Sequence, residues 1–286
     1  MATQAECVTV LQTEFERLKQ YLAALPADAW TKPSACALWE VRDVVAHLTM
    51  GIEGFTLRIT RGLQGETSPP EGLPSPHLWQ TLAQEERRQR ALRLAPGPIA
   101  LRERLGKDLL SGFSHAWDSF THLLATLSPQ EWHQPCYHGR GIIPVHSLAH
   151  AGIFELAIHG WDIRSALELS APLAPDVLAA ILAFFAACPH WFFLPAARLS
   201  TPMRYRFAFT GALNSMWDIV VEGDTARMES AANTTSAHVT FACDGETFIL
   251  MMCGRIGFDA ALGDKRIIPT GDTAAVQAFK YWFQGV

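Results

Sequence analysis

Glu155 and His159 occupy the segment Glu155-Leu-Ala-Ile-His159, and their separation by four residues puts a carboxylate and an imidazole on one helix face, close enough to grip one metal ion. His47, among Val44, Val45 and Leu48, supplies a third ligand if its helix faces theirs. Together they would form a His2Glu site with at least one open coordination position, as catalytic metal centres have. The same spacing also serves solvated pairs on helix surfaces, so the pattern alone leaves a structural reading open. Asp162, one turn past His159, is placed either to orient that imidazole or to pair with Arg164. His150 points roughly 140° away from the ligand face, and with His146 it suits a supporting or surface role. His115 and His122 share one face of another helix. Cys36, in the loop before the His47 segment, reads as an unreactive thiol, and Trp39 and Trp161 as core packing.

These residues need a helical frame, and apolar periodicity predicts one. Val10, Leu11, Phe15, Leu18, Leu22 and Leu25 mark a first helix from Glu6 to Leu25, and Val41 to Phe55 a second of about four turns. Residues 62–98 hold six prolines around a polar segment, Leu78 to Arg93, which predicts a long crossover with one helix inside it. A third long helix runs from Pro98 to Leu124, a fourth from Val145 to Leu169, and a fifth, very apolar one from Ala174 to Ala187. Four long helices with one long crossover satisfy a four-helix bundle.

Past Pro202 the pattern alternates, in the segments beginning Met203-Arg-Tyr-Arg, Ser215-Met-Trp-Asp and Ala237-His-Val-Thr, with Gly211, Gly223-Asp and Asn233-Thr-Thr between them. It predicts an antiparallel sheet with helices at Phe248 to Gly254 and Ala274 to Phe283, a small α+β domain. The predicted fold class is thus α plus α+β, with a helical domain over residues 1–198 and an α+β domain over 199–286.

Composition bounds the partners. Charged residues are only 18% of the 286, apolar residues 49%, and the net charge is −5, which suits a large core and gives no attraction to nucleic acid or anionic membrane. The apolar stretch from Val177 to Phe193 is broken by Pro189 and His190 and too short to span a bilayer. Six scattered cysteines without a paired motif, and an N-terminus without a basic stretch or cleavage site, predict reduced thiols and a cytoplasmic protein. A small-molecule substrate and a monomer or homodimer complete the expectation.

Two segments carry a family resemblance. Trp30-Thr-Lys-Pro-Ser-Ala-Cys-Ala-Leu-Trp39-Glu-Val-Arg-Asp43-Val-Val-Ala-His47-Leu and Glu155-Leu-Ala-Ile-His159-Gly-Trp161-Asp162-Ile-Arg resemble the signature segments of the mycothiol-dependent maleylpyruvate isomerase family. The resemblance implies a DinB-like bundle that holds a divalent metal, usually zinc, through His47, Glu155 and His159. Iron, nickel and copper are further candidates for such a donor set. It also implies a small thiol of the mycothiol type, ionised at the metal's open position, that attacks an electrophile to give isomerisation or S-transfer. Asp244-Gly-Glu-Thr-Phe and Gly271-Asp272 resemble the sterol-carrier-like domain often joined to the bundle. The family's enzyme uses an arginine of its C-terminal domain, for which Arg255 is the candidate here, ahead of Arg204 and Arg206 on a strand. Two other functions fit the same sequence: a hydrophobic-ligand or lipid-binding protein without catalysis, and an enzyme of specialised metabolism that uses the triad for different metal chemistry.

Overall fold

The computed structural model describes residues 3–168, 170–194, 201–232 and 235–285. The chain divides into two compact units, Met1–Trp79 with Arg88–Ala180, and Gln80–Arg87 with Ile181–Val286. The predicted boundary between residues 198 and 199, the predicted helix end at Leu169 and the start of the turn at Asn233-Thr-Thr lie outside the described residues.

In the first unit α1 (Gln4–Ala24) begins at a reciprocal cap: the Thr3 hydroxyl accepts from the Glu6 N–H, and the Glu6 carboxylate accepts from the Thr3 N–H. The same device, built from Glu40 and Asp43, starts α2 (Val41–Leu63). α2 runs to 23 residues, longer than predicted, because buried Ile59 extends its apolar stripe and no breaker intervenes before Gly62. α3 (Leu78–Thr81) and α4 (Gln84–Leu94) lie in the proline-rich crossover. The predicted third helix is two helices. α5 (Pro96–Leu105) stops at Gly106, whose φ of +51° leaves the right-handed region, and α6 (Leu109–Thr126) resumes after a 3-10 turn. A hairpin that the periodicity did not show, β1 (Pro135–His138) with β2 (Gly141–Pro144), leads into α7 (Val145–Leu167).

α1, α2, α6 and α7 form the four-helix bundle, with Leu11, Phe15, Ile52, Trp117, Phe120 and Leu156 buried between them. Gly152 permits the close approach of α7, since a Cβ there would lie 3.1 Å from the Phe120 ring. α8 (Pro175–Ala187) follows the bundle.

The remainder carries β3 (Met203–Thr210), β4 (Met216–Glu222), β5 (Thr225–Ser230), β6 (Val239–Asp244), α9 (Gly245–Met252), α10 (Phe258–Gly263), β7 (Ile268–Gly271) and α11 (Thr273–Trp282). Sheet order is β5-β4-β3-β6-β7. The sheet is mixed, not wholly antiparallel as predicted: β3 and β6 run parallel, with Phe207 beside Phe241. Alternation reports a strand with one buried face whatever its direction, and the connection that precedes β6 decides the direction. Tyr205, Phe207 and Phe209 point into an aromatic core with Phe241, Phe248 and Phe279. Each such fully buried ring contributes about 1.5–3 kcal/mol. No helix among the described residues is long and apolar enough to cross a membrane.

Candidate metal centre

His47 stands in the second turn of α2, and Glu155 and His159 near the middle of α7, two helices that pack together. One carboxylate oxygen, Glu155 Oε2, lies 3.4 Å from His47 Nε2 and 3.3 Å from His159 Nε2. The two imidazoles meet edge to face with centroids 4.6 Å apart. Donors at about 2.0–2.2 Å from one tetrahedral ion lie about 3.3–3.5 Å from each other, so these separations fit a shared cation. The three side chains are 27%, 27% and 14% exposed, which leaves the donors within reach of a small molecule.

Asp162 fixes how His159 presents itself. Its buried Oδ2 lies 2.9 Å from His159 Nδ1 and accepts that N–H, which turns Nε2 toward Glu155. The alternative pairing with Arg164 is not formed by this oxygen, whose second partner is the Cys36 thiol at 3.0 Å. Cys36 Sγ is also 3.6 Å from His159 Nδ1. The thiol therefore belongs to the site's support, a structural role beyond its reading as an unreactive group. The only sequence signal was its place in the loop before the His47 helix. That loop is tied to α7 by the Ala35 N–H, which donates to the Asp162 carbonyl. Trp39, in the same loop, tilts over His47 with centroids 4.9 Å apart and donates its indole N–H to the Ala95 carbonyl.

Burial alone would raise the Glu155 carboxyl, but hydrogen bonds with His159 and His47 outweigh it and hold the group well below the usual carboxylate range. For His159 burial acts to lower the pKa, and Asp162, Cys36 and Glu155 overcome it and raise it well above the ordinary value. His47 is lowered, chiefly by burial, with Glu155 opposing. A carboxylate held ionised between two imidazoles suits a divalent ion, which displaces the protons that the imidazoles share with it.

A family model described as the mycothiol maleylpyruvate isomerase N-terminal domain matches residues 11–164, more than half of the chain and the whole stretch that carries the triad. The chain belongs to the mycothiol maleylpyruvate isomerase family. Its fold is similar to the crystal structure of the mycothiol-dependent maleylpyruvate isomerase, with a TM-score of 0.55, 12% identity, and 89% of this chain and 90% of that one covered. A histidine-to-alanine mutant of that enzyme gives a TM-score of 0.57 at 12% identity, with 95% of both chains covered. Curated protein sequences give no match.

Other residues singled out in this member of the maleylpyruvate isomerase family do not join the triad. His150 Nδ1 donates to the His146 carbonyl at 2.7 Å, the His146 ring packs on His133, and His115 and His122 are exposed. In the second unit Arg204 and Arg206 converge on Asp218 at 2.7 and 2.8 Å, so both guanidinium groups are engaged in a structural ion cluster. Arg255 follows the α9 terminus, where Gly254 turns the chain at a φ of +70°, and its Nη1 donates to the Cys253 carbonyl at 2.8 Å.

Proposed function

We propose that the protein is a divalent-metal-dependent, small-thiol-dependent isomerase or S-transferase acting on a small electrophile. The observation that carries this reading is the convergence of His47 Nε2, Glu155 Oε2 and His159 Nε2 at the spacing of a single ion, in a chain of the maleylpyruvate isomerase family. A divalent cation, with zinc the first candidate, supplies the positive charge that ionises a thiol near neutral pH when the two meet.

The chain's own groups do the rest. Glu155 and the two imidazoles leave one side of a tetrahedral set open, and Asp162 keeps His159 Nε2 aimed inward. Trp39 closes over His47 and restricts water on that flank. Arg255 is proposed, from the family resemblance, as the arginine of the second unit that meets the substrate. Return of the thiol after attack gives isomerisation, and its retention gives transfer.

The alternative of lipid binding draws no support from the second unit's apolar cavity. Lined by residues such as Phe185, Phe192, Met228 and Met252, it holds about 10 Å3, room for one water at most. The test is metal analysis of the purified chain, followed by a screen of electrophilic substrates with mycothiol and other small thiols. Stoichiometric metal and thiol-dependent turnover, both lost in His47→Ala, are expected. A chain that binds none of zinc, nickel or iron overturns the reading.

A further inference from the structure

Arg58 is a charged group in the first unit that neither the triad nor its support uses. It follows His47 by three turns of α2, about 20° further round the helix, so both side chains leave the same face. The rise between them is about 16 Å, and the longer arginine side chain, leaning toward the N-terminus as helical side chains do, shortens that gap. The side chain is half-buried. Its charge lies over the rings of Phe55 and Tyr137, 5.7 and 6.0 Å from their centroids. No hydrogen bond or ion pair engages it among the described residues.

Several other arginines of the first unit are paired. Arg102 pairs with Asp43, Arg61 with Glu66, and Arg17 with Glu14 and Asp176. The nearby Tyr137 hydroxyl is spent on the Pro74 carbonyl at 2.6 Å and offers Arg58 no anion. One turn back, the guanidinium lies over Gly54, where an added Cβ would make ordinary contact with Cζ and Nη1 at 3.7 Å. Burial lowers the Arg58 pKa, and Tyr137 and Glu155 oppose that fall, so the charge is held in a partly desolvated place within the field of the triad's own carboxylate. A guanidinium remains protonated in such surroundings, and the lower the local dielectric, the more strongly it attracts an anion. Aromatic rings fix the fork without neutralising it.

We propose that Arg58 is the receptor for a carboxylate of the small molecule that meets the triad, gripping it in the plane of the guanidinium while the other end of the molecule reaches His47, Glu155 and His159. The ligand class is a short carboxylic acid. The inference rests on the triad reading only for which end of the molecule reacts. The carboxylate could belong to the electrophile or to the thiol, and the probes separate the two.

Calorimetry on the full chain with maleate, and separately with N-acetylcysteine, tests it, with dimethyl maleate and N-acetylcysteinamide as uncharged controls. Arg58→Ala is expected to weaken the acid that uses the site about 10- to 100-fold, and Arg58→Lys about 3- to 10-fold, since lysine keeps the charge but not the fork. The uncharged controls should bind alike to all three proteins, and so should zinc, which also reports that the variants are folded. Loss for maleate assigns the carboxylate to the electrophile, and loss for N-acetylcysteine assigns it to the thiol. Equal binding of both acids to wild type and Arg58→Ala overturns the proposal, as does failure of both acids to bind the wild type, or a parallel loss of the uncharged controls. Should wild type bind no zinc, the triad reading fails by itself, because the acids still report on Arg58 in the metal-free chain.

Discussion

Two clusters of charged residues, one in each unit, look alike in composition and differ in what they leave undone. In the second unit Arg204 and Arg206 close on a fully buried Asp218 whose oxygens take hydrogen bonds from both, while Arg204 also holds Glu229 and Arg206 donates to the Ala232 and Thr235 carbonyls. Arg204 Nη1 and Arg206 Nε and Nη2 each have a receiver there. In the first unit His47, Glu155 and His159 converge on one oxygen, and the two imidazole nitrogens face the same carboxylate from separations above 3.2 Å. The first arrangement is a closed ion cluster and the second an open donor set. Buried charge by itself does not mark a functional site; convergence without saturation does.

The largest expected effect follows from that openness. Glu155→Gln removes the charge that both imidazoles share, and zinc affinity, measured against a chelator of known strength, should fall by more than the roughly 10- to 100-fold typical of losing a supporting partner. Unchanged zinc affinity would put the metal elsewhere and erase the contrast between the clusters. Asp162→Asn should cost about 10- to 100-fold in the same assay, because an amide no longer holds His159 Nδ1–H as a carboxylate does.

The closed cluster should respond in the opposite way. Asp218→Ala is expected to destabilise the chain by about 3 kcal/mol in denaturant unfolding, since two arginines lose their buried partner, and to leave zinc affinity unchanged. A smaller effect comes with acid. Burial would raise the Asp218 carboxyl, but Arg206 and Arg204 hold it below its ordinary value. Its stabilisation is therefore fully present above about pH 4, the unfolded value, and is lost as pH falls through the lower folded value. Wild type should lose more stability than Asp218→Ala over that range, and parallel acid curves would show that the pairing contributes nothing.

The helical frame was readable because its signal is one-dimensional: Leu11, Phe15, Leu18 and Leu22, or Val44, Val45, Leu48 and Ile52, repeat at the helical period and are buried. Glu155 and His159 were readable for the same reason, being one turn apart on one helix. What sequence could not show depends on distant segments. The break at Gly106 is a backbone conformation that the apolar stripe passes over, and the parallel pairing of β6 with β3 is decided by a connection. Cys36 reaches Asp162 across 126 positions of chain, and nothing periodic links them. Arg58 carries no motif or spacing signal, and its lack of an ionic partner exists only in three dimensions.

Cys36 gives the smallest expected effect and the sharpest question about which groups hold the metal. Cys36, His159 and Asp162 also lie close enough together to suggest a ligand set, one that would use His159 Nδ1 where the triad uses Nε2. Distances separate the two. Asp162 Oδ2 is 2.9 Å from Nδ1 and 3.0 Å from Sγ, hydrogen-bond lengths that are shorter than the edges of a metal tetrahedron, about 3.3 Å or more with oxygen and nitrogen and longer with sulfur. The thiol therefore acts as a second donor to the carboxylate that orients His159. A thiol donates weakly, so Cys36→Ala should lower zinc affinity by less than about 5-fold, and Cys36→Ser, whose hydroxyl donates to the same oxygen, should restore it. Cobalt-loaded wild type should then show no thiolate-to-cobalt absorption from the protein alone. Such a band, together with complete loss of metal in Cys36→Ala, would move the ion to the Nδ1 side and turn the present support of the site into the site itself.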